Sequence, residues 1–465
     1  QAGGQDWQLQ APARLQRLAS GQLDFGAHCW RSGQASLCGD DQRLAPEPRL
    51  RYHLKQFPLD SLAQWLPKDF AWQGLLNADI NLDIPARGPK GNIVVDASGG
   101  TLRVRDKDRW VDFPYQALRL DSTLAPRRID TRLAFRGERL GELNVNTRLD
   151  PLGKNKPLSG DFRLAGLDLS VARPFVPMVE RLAGQLNGSG RLSGTLLAPQ
   201  VNGNLMLSGG EVSGAELPVS LEDLSLQAFI AGEQVQLNGG WRSGEVGRGQ
   251  LNGNLTWGQA LGMDLRLQGQ QLPVTVEPYA TLEVAPDLTL RLIDDKLAVT
   301  GKVQVPKGTI TVRELPPSTV KVSDDTVIVG HQTEEGKPPM AMAMDIDVEV
   351  GRDKLSFSGF GLKANLLGHV HIGDNLDTRG ELSLADGRYR AYGQRLTIRR
   401  ARLLFAGPID QPYLDIEAIR KVDDVIAGIR LSGSAEQPTS KVFSEPAMSQ
   451  EQALSYLVLG RPLGA

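Results

Sequence analysis

No stretch of this chain runs longer than fifteen residues without a glycine or a proline, the longest being Tyr413 to Ala427. Proline removes a helical hydrogen bond and glycine leaves the backbone too free, and a membrane-spanning helix needs roughly 20 consecutive apolar residues. The spacing therefore excludes coiled coils, long-helix bundles and transmembrane helices. It predicts short extended segments joined by turns.

Those segments alternate. Met340, Met342, Met344, Ile346, Val348 and Val350 fall on one face of an extended stretch, with Ala341, Ala343, Asp345, Asp347 and Glu349 on the other. The same period of two recurs in Ile80/Leu82/Ile84, Leu205/Leu207, Leu288/Leu290/Leu292, Val303/Val305 and Ile310/Val312. One greasy face and one wet face is the pattern of antiparallel sheet with one side in water. The fold class predicted is all-β, with on the order of 35–45 strands at 8–12 residues each. Helical signals are few: Leu59, Leu62, Trp65 and Leu66 between Pro58 and Pro67, and a final segment capped by Ser449 that carries Leu454, Leu457 and Val458.

The sequence also repeats. A shift of 110 residues superposes Leu54 on Leu164, Leu59 on Leu169, Pro67 on Pro177, Gly74 on Gly184, Pro89 on Pro199, Asn92 on Asn202 and Gly99-Gly100 on Gly209-Gly210. Units of this kind, each with an apolar face it cannot bury alone, stack into elongated arrays. The divisions read from the sequence are a partial repeat at 1–49, repeat units at 50–160 and 161–264, a partial third at 265–333 and a C-terminal segment at 334–465. Pro316-Pro317 and Glu334 to Pro339 read as loops within one continuous array.

Reactive chemistry is sparse. His369 and His371 share one strand face without a third ligand nearby, so no metal site is predicted. Asp294-Asp295, Asp324-Asp325 and Asp423-Asp424 read as turns or solvated ends. Gly-x-Gly pairs such as Gly188/Gly190 read as turns or bulges rather than phosphate loops. No catalytic set and no cofactor is expected. With 52 basic against 54 acidic residues, nucleic acid is not an expected partner. Arg399, Arg400 and Arg402, beside Leu403-Leu404-Phe405, form the densest basic cluster; the two readings are a solvated strand face and a contact for anionic lipid headgroups. The only two cysteines, Cys29 and Cys38, enclose a turn containing Gly33, a spacing that a hairpin brings within disulfide reach. The pair favours an oxidising compartment, a reduced pair being the alternative. No leader segment opens the chain, and Gln1-Ala2-Gly3-Gly4 reads as the start of a fragment.

The run GELSLADGRYRAYGQRLTIRRARLLFAGPIDQPYLDIEAIR at Gly380 to Arg420, then GIRLSGSAEQP, then SEPAMSQEQALSYLVLGRPL, resembles the C-terminal region of the TamB family. The upstream repeats, the Cys29/Cys38 pair and FPLDSLAQWLP extend the resemblance to the whole chain. The resemblance implies an AsmA-like, bridge-like lipid transfer protein: an elongated, twisted, taco-like sheet with an apolar groove, residues 161–465 approximating the family's C-terminal domain. It further implies a periplasmic location, an inner-membrane anchor helix that this sequence lacks, and the outer-membrane barrel protein TamA as partner. The expected cargo is phospholipid passing between inner and outer membranes, the chain acting as a monomer. On that reading, the period-two residues from Ile80 to Val350 named above line the groove. The competing reading of the same residues is the core of a closed sandwich. A different function, scaffolding outer-membrane barrel proteins through exposed strand edges, is also compatible with the pattern.

Overall fold

The computed structural model describes residues 4–312 and 341–464, and among them the fold is all-β, with 31 strands, three short 3-10 segments and one α-helix. The strands are fewer and longer than predicted, reaching 17 residues at Arg109–Ala125 and 19 at Ala341–Gly359. Pro114, Pro286 and Pro306 lie inside strands beside register shifts rather than at strand ends. Burial is thin: the chain exposes 28822 Å² for 50.5 kDa, where a globular protein of that mass exposes about 17,000 Å².

The chain forms two compact units, residues 1–216 with 221–237, and residues 217–220 with 238–465. In the first, Arg49–Pro58, Leu75–Asp83, Lys90–Asp96, Arg109–Ala125, Arg128–Gly137, Gly141–Leu149, Leu158–Asp168, Arg181–Gly194, Pro199–Ser213 and Leu221–Gly232 form an antiparallel ladder in chain order. Each of these strands packs chiefly on its ladder neighbours. This is a single layer.

The 110-residue offset recurs here in detail. Leu59–Trp65 and Leu169–Phe175 are both 3-10 segments, and the strands before them bulge at Leu54/Phe57 and Leu164/Leu167. In both bulges a residue of positive φ, Gln56 and then Gly166, donates its backbone N–H to an asparagine side chain, Asn77 and then Asn187, at 3.0 and 2.8 Å. Gly74 and Gly184 each have φ of +140°, and a Cβ on either would lie 3.1 Å from the Cα of Gly100 or Gly210. Positive φ and the facing glycine backbone call for glycine at 74 and 184, while at Gly100 and Gly210 a Cβ would strike Tyr115 and Leu224 respectively.

The second unit is also a ladder, from Gly247–Thr256 through Gly262–Gln270, Ala280–Ile293 and Lys296–Thr311 to Ala341–Gly359, then Leu362–Ile372, Asp377–Ala391, Gln394–Pro408, Tyr413–Val422, Val425–Ser434 and Thr439–Glu445. Every step is antiparallel except Lys296–Thr311 with Ala341–Gly359, which is parallel. From Val305 onward its inner face closes into a packed core that includes Leu355, Phe357, Leu362, Leu366, Leu382, Leu403, Leu414, Ile416 and Ile429. The helix Gln450–Leu459 packs on the last three strands through Ala453 and Leu457. Ser449 caps it as predicted, its hydroxyl accepting from the Gln452 N–H at 3.2 Å, and the Arg420 guanidinium donates to the carbonyls of Leu457 and Val458 at its other end. Leu454 is exposed rather than part of the buried stripe, because Ala453 and Leu457, four residues apart, define the inward face.

Candidate functional site

The ladder places the predicted lining residues on shared faces. In the first unit Ile80, Leu82 and Leu205 are half-buried on one side of the sheet and Leu207 is buried there. Ile84 lies just past the end of its strand and is exposed. Around them run apolar rows that cross strand after strand. One is Val95, Leu120, Leu133, Val145 and Phe162; another is Leu118, Phe135, Leu143, Leu164, Gly188 and Leu205. The residues of these two rows are half-buried. Beside the first row, on the side away from the second, lies a hydroxyl rung of Ser122, Thr131 and Thr147, the first two hydrogen-bonded at 3.0 Å.

The opposite face is charged. Arg148 and Arg128 both bond Asp130, at 3.0 and 2.7 Å, and hold its carboxyl below the usual range against a small upward pull from burial.

Gly188 and Gly190 are not turns or bulges, as their spacing had suggested, but lie mid-strand on the apolar face. A Cβ on Gly190 would come 2.6 Å from the Phe162 ring, and one on Gly188 2.3 Å from the Leu205 side chain. The glycines make room for their large cross-strand neighbours. Period-two reading also passed over Leu133/Phe135, Leu143/Val145 and Phe162/Leu164, although the alternation in Gly141–Leu149 is as regular as at Ile80.

In the second unit cross-strand register stacks Leu288 on Gly301 and Ile346, Leu290 on Val299 and Met344, and Leu292 on Leu297 and Met342. Val303 meets Val348 and Val305 meets Val350. An irregularity after Val305 shifts the pairing, so Ile310 and Val312 pack on the same cluster as Val303 and Val305. Leu292, Val305, Ile346 and Val350 are buried, while Met342 is 50% exposed. Met340 lies outside the described residues.

The charged motifs resolve into pairs. His371 Nε2 lies 2.6 Å from Asp345 and His369 lies 3.7 Å from Asp347. The hydrogen bond to Asp345 raises the His371 pKa, outweighing its slight desolvation. Asp294, Asp295 and Asp423 sit in hairpin turns with positive φ, as read from the sequence; Asp324-Asp325 lies outside the described residues.

Arg399, Arg400 and Arg402 are neutralised by the chain itself. Arg399 bonds Glu417 and Glu445, Arg400 and Arg402 bond Asp415, Arg402 reaches Glu381, and Arg430 joins at Glu417. The Glu417 side chain is only 3% exposed. Burial pulls its carboxyl upward, but hydrogen bonds from Arg399 and Arg430 prevail and hold it below its ordinary value. Arg399 and Arg430 also lie against the Phe443 ring. This is an internal ion-pair network on a strand face.

Cys29 and Cys38 stand directly opposite in the His28–Ser32 and Ala35–Gly39 hairpin and are joined by a disulfide, with Cα atoms 4.0 Å apart. No helix among the described residues is long and apolar enough to cross a membrane.

Residues 240–465 match the family described as the TamB C-terminal domain, and residues 2–207 match the TamB N-terminal domain. A Haemophilus influenzae protein named translocation and assembly module subunit TamB is 26% identical over 467 aligned positions. That alignment covers 95% of this chain and 36% of the relative, so the chain spans only about a third of the relative's length.

Proposed function

The chain belongs to the TamB family, and from that premise we propose that it serves a translocation and assembly module by carrying phospholipid acyl chains along the apolar face of its sheet. One observation carries the reading: the rows through Leu120, Leu133, Val145 and Phe162 cross a single layer and stay half-buried, with no second sheet of the same unit packed over them among the described residues. Contiguous exposed apolar surface of that kind marks an interaction site in a stable protein.

The energetics suit lipid. Moving acyl chains through water costs about 0.8 kcal/mol per CH₂, on the order of 25 kcal/mol for a two-tailed lipid. A surface of alternating Leu, Val and Ile removes most of that cost while the headgroup stays wet at the open side. Directional chemistry is not required, which matches a site built of apolar side chains.

In this proposal the protein works in the periplasm as a single chain, held to the inner membrane by a helix outside this sequence. It delivers to the outer membrane beside the barrel protein TamA. Photo-crosslinkers at Leu133 and Val145 should capture lipid in cells, and those at the outward neighbours Arg132 and Asn144 should not. Equal capture on both faces, or none on either, would sink the proposal. Val348→Asp, in a variant that folds, should reduce lipid passage.

A second reading rests on a separate observation. Thr439–Glu445 pairs on one side only among the described residues, leaving an edge on which a client strand could add. A proline on that edge that impaired barrel assembly and left lipid capture intact would favour this scaffold reading.

A further inference from the structure

The densest run of arginine in the sequence is neutralised, but four other cations that the sequence scatters converge in the second unit. Lys363 follows the turn that joins Ala341–Gly359 to Leu362–Ile372. Arg388 and Arg390 close the Asp377–Ala391 strand, and Arg395 opens the next strand beyond Tyr392 and Gly393. Register places Lys363 opposite Arg388 and Arg390 opposite Arg395. Like charges directly opposite on a sheet are destabilising unless something offsets them. All four are exposed, and none has a carboxylate partner among the described residues.

The four line an open concavity of about 860 Å³ together with Val312, Ser358 and Phe360, and no acid among the described residues contributes to its wall. The adjoining concavity brings Lys354 and a single carboxylate, Asp386. The following turn, at Asp423 and Asp424, bounds the patch on that side. Between the facing arginines stands Tyr392, 53% exposed at the tip of its turn. The turns at the other ends of these strands carry acids instead: Asp294 and Asp295, Asp374, and Asp410. The patch is therefore basic where the turns at the opposite end of the ladder are acidic.

We propose that the basic rim docks on an anionic lipid bilayer, with Lys363, Arg388, Arg390 and Arg395 taking headgroup phosphates and Tyr392 seated at headgroup level. Charge complementarity selects the occupant: unpaired cations around an exposed aromatic match the interfacial layer of a membrane, where each basic residue adds attraction and tyrosine is enriched. The acidic rim is repelled by the same surface, so the docked unit has a preferred orientation. The four cations lie on the charged face and its turns, while Val312 and Phe360 in the same concavity belong to the apolar side; docking through the cations does not depend on acyl-chain transport.

The test is co-sedimentation of the chain with vesicles of phosphatidylcholine alone or mixed with phosphatidylglycerol. The wild-type chain should partition onto the mixed vesicles, less so at high salt. Arg388→Gln/Arg390→Gln/Arg395→Gln should lower partitioning about 100-fold, at roughly 1 kcal/mol per cation. Arg400→Gln/Arg402→Gln, in the neutralised network, should leave it within about 2-fold of wild type. If the triple variant fails to fold, Arg395→Gln alone should still lower partitioning about 5-fold by the same reckoning.

Equal partitioning on neutral and anionic vesicles would overturn the proposal, as would an unchanged Arg395→Gln variant. Displacement from the vesicles by dilute inorganic phosphate at constant ionic strength would overturn it too, pointing to a discrete phosphate pocket. Lipid capture at Leu133 in the triple variant reports the acyl-chain surface independently, so loss of either result leaves the other readable.

Discussion

The ladder from Leu75 to Gly232 and the stretch from Leu355 to Leu457 are made from the same alternating strands, yet one remains a lined surface and the other closes into a core. Leu120, Leu133, Val145 and Phe162 stay half-buried, whereas Leu362 and Ile416 are each 1% exposed. One feature separates the regions: a helix packs on the last strands of the closed one. Small inner-face residues occur in both, Ala364, Ala418 and Ala427 in the closed region and Gly188 and Gly190 in the open one. Alternation makes a one-sided sheet; how the inner faces meet across the register, with a covering helix, decides whether that side is filled by the protein itself.

The sharpest way to break this contrast is truncation. Leu362→Ala should destabilise the second unit by about 3 kcal/mol, because a fully enclosed leucine leaves a cavity. Leu133→Ala should cost the first unit about 1 kcal/mol, since part of its surface already meets solvent. Denaturant titration that follows each unit separately measures both, and equal costs would dissolve the distinction.

The next test concerns how the closed region is held. Glu417→Gln should cost about 2 kcal/mol, less than breaking a fully buried pair because its arginine partners are partly exposed. Since folding lowers the Glu417 pKa, its contribution is fully present above the unfolded carboxylate value and is lost as pH falls through the folded one. Acid unfolding of the variant should accordingly lose part of its pH dependence.

Within the open region, Gly74→Ala and Gly184→Ala should each cost about 1–2 kcal/mol, through an unfavourable φ and contact with the facing glycine. Similar costs measured by thermal melts would mark the two sites as copies of one device. The smallest effect belongs to the charged face of the second unit. Folding raises the His371 pKa, so its stabilising contribution is present below the unfolded histidine value and fades as pH rises through the folded one. An NMR titration should place the His371 midpoint above that of a free histidine and return it on Asp345→Asn.

These contrasts also show what the sequence could reveal. Period two in Ile80/Leu82 and Met344/Ile346 located an apolar face, and the 110-residue offset located the Gly74/Gly184 corners, because both signals are local or strictly periodic. Which stretch closes into a core was hidden: it depends on the register between strands, not on a run of any one type. Charge left two readings open for the same reason. Arg399 to Arg402 are dense in sequence but meet Asp415 and Glu417 from the next strand, while Lys363, Arg388, Arg390 and Arg395 are scattered and meet one another. Gly188 and Gly190 looked like turns because their cross-strand neighbours, Leu205 and Phe162, cannot be known before the register is.

The paired corners at Gly74 and Gly184 have a consequence for evolution of length. From Arg49–Pro58 to its counterpart Leu158–Asp168 the ladder advances six strand steps, about 29 Å at the spacing of neighbouring strands. Duplication or loss of one such module would lengthen or shorten the ladder by that fixed increment and leave every corner intact. A lineage that must match its reach to a wider or narrower gap therefore has a ruler graduated in whole modules.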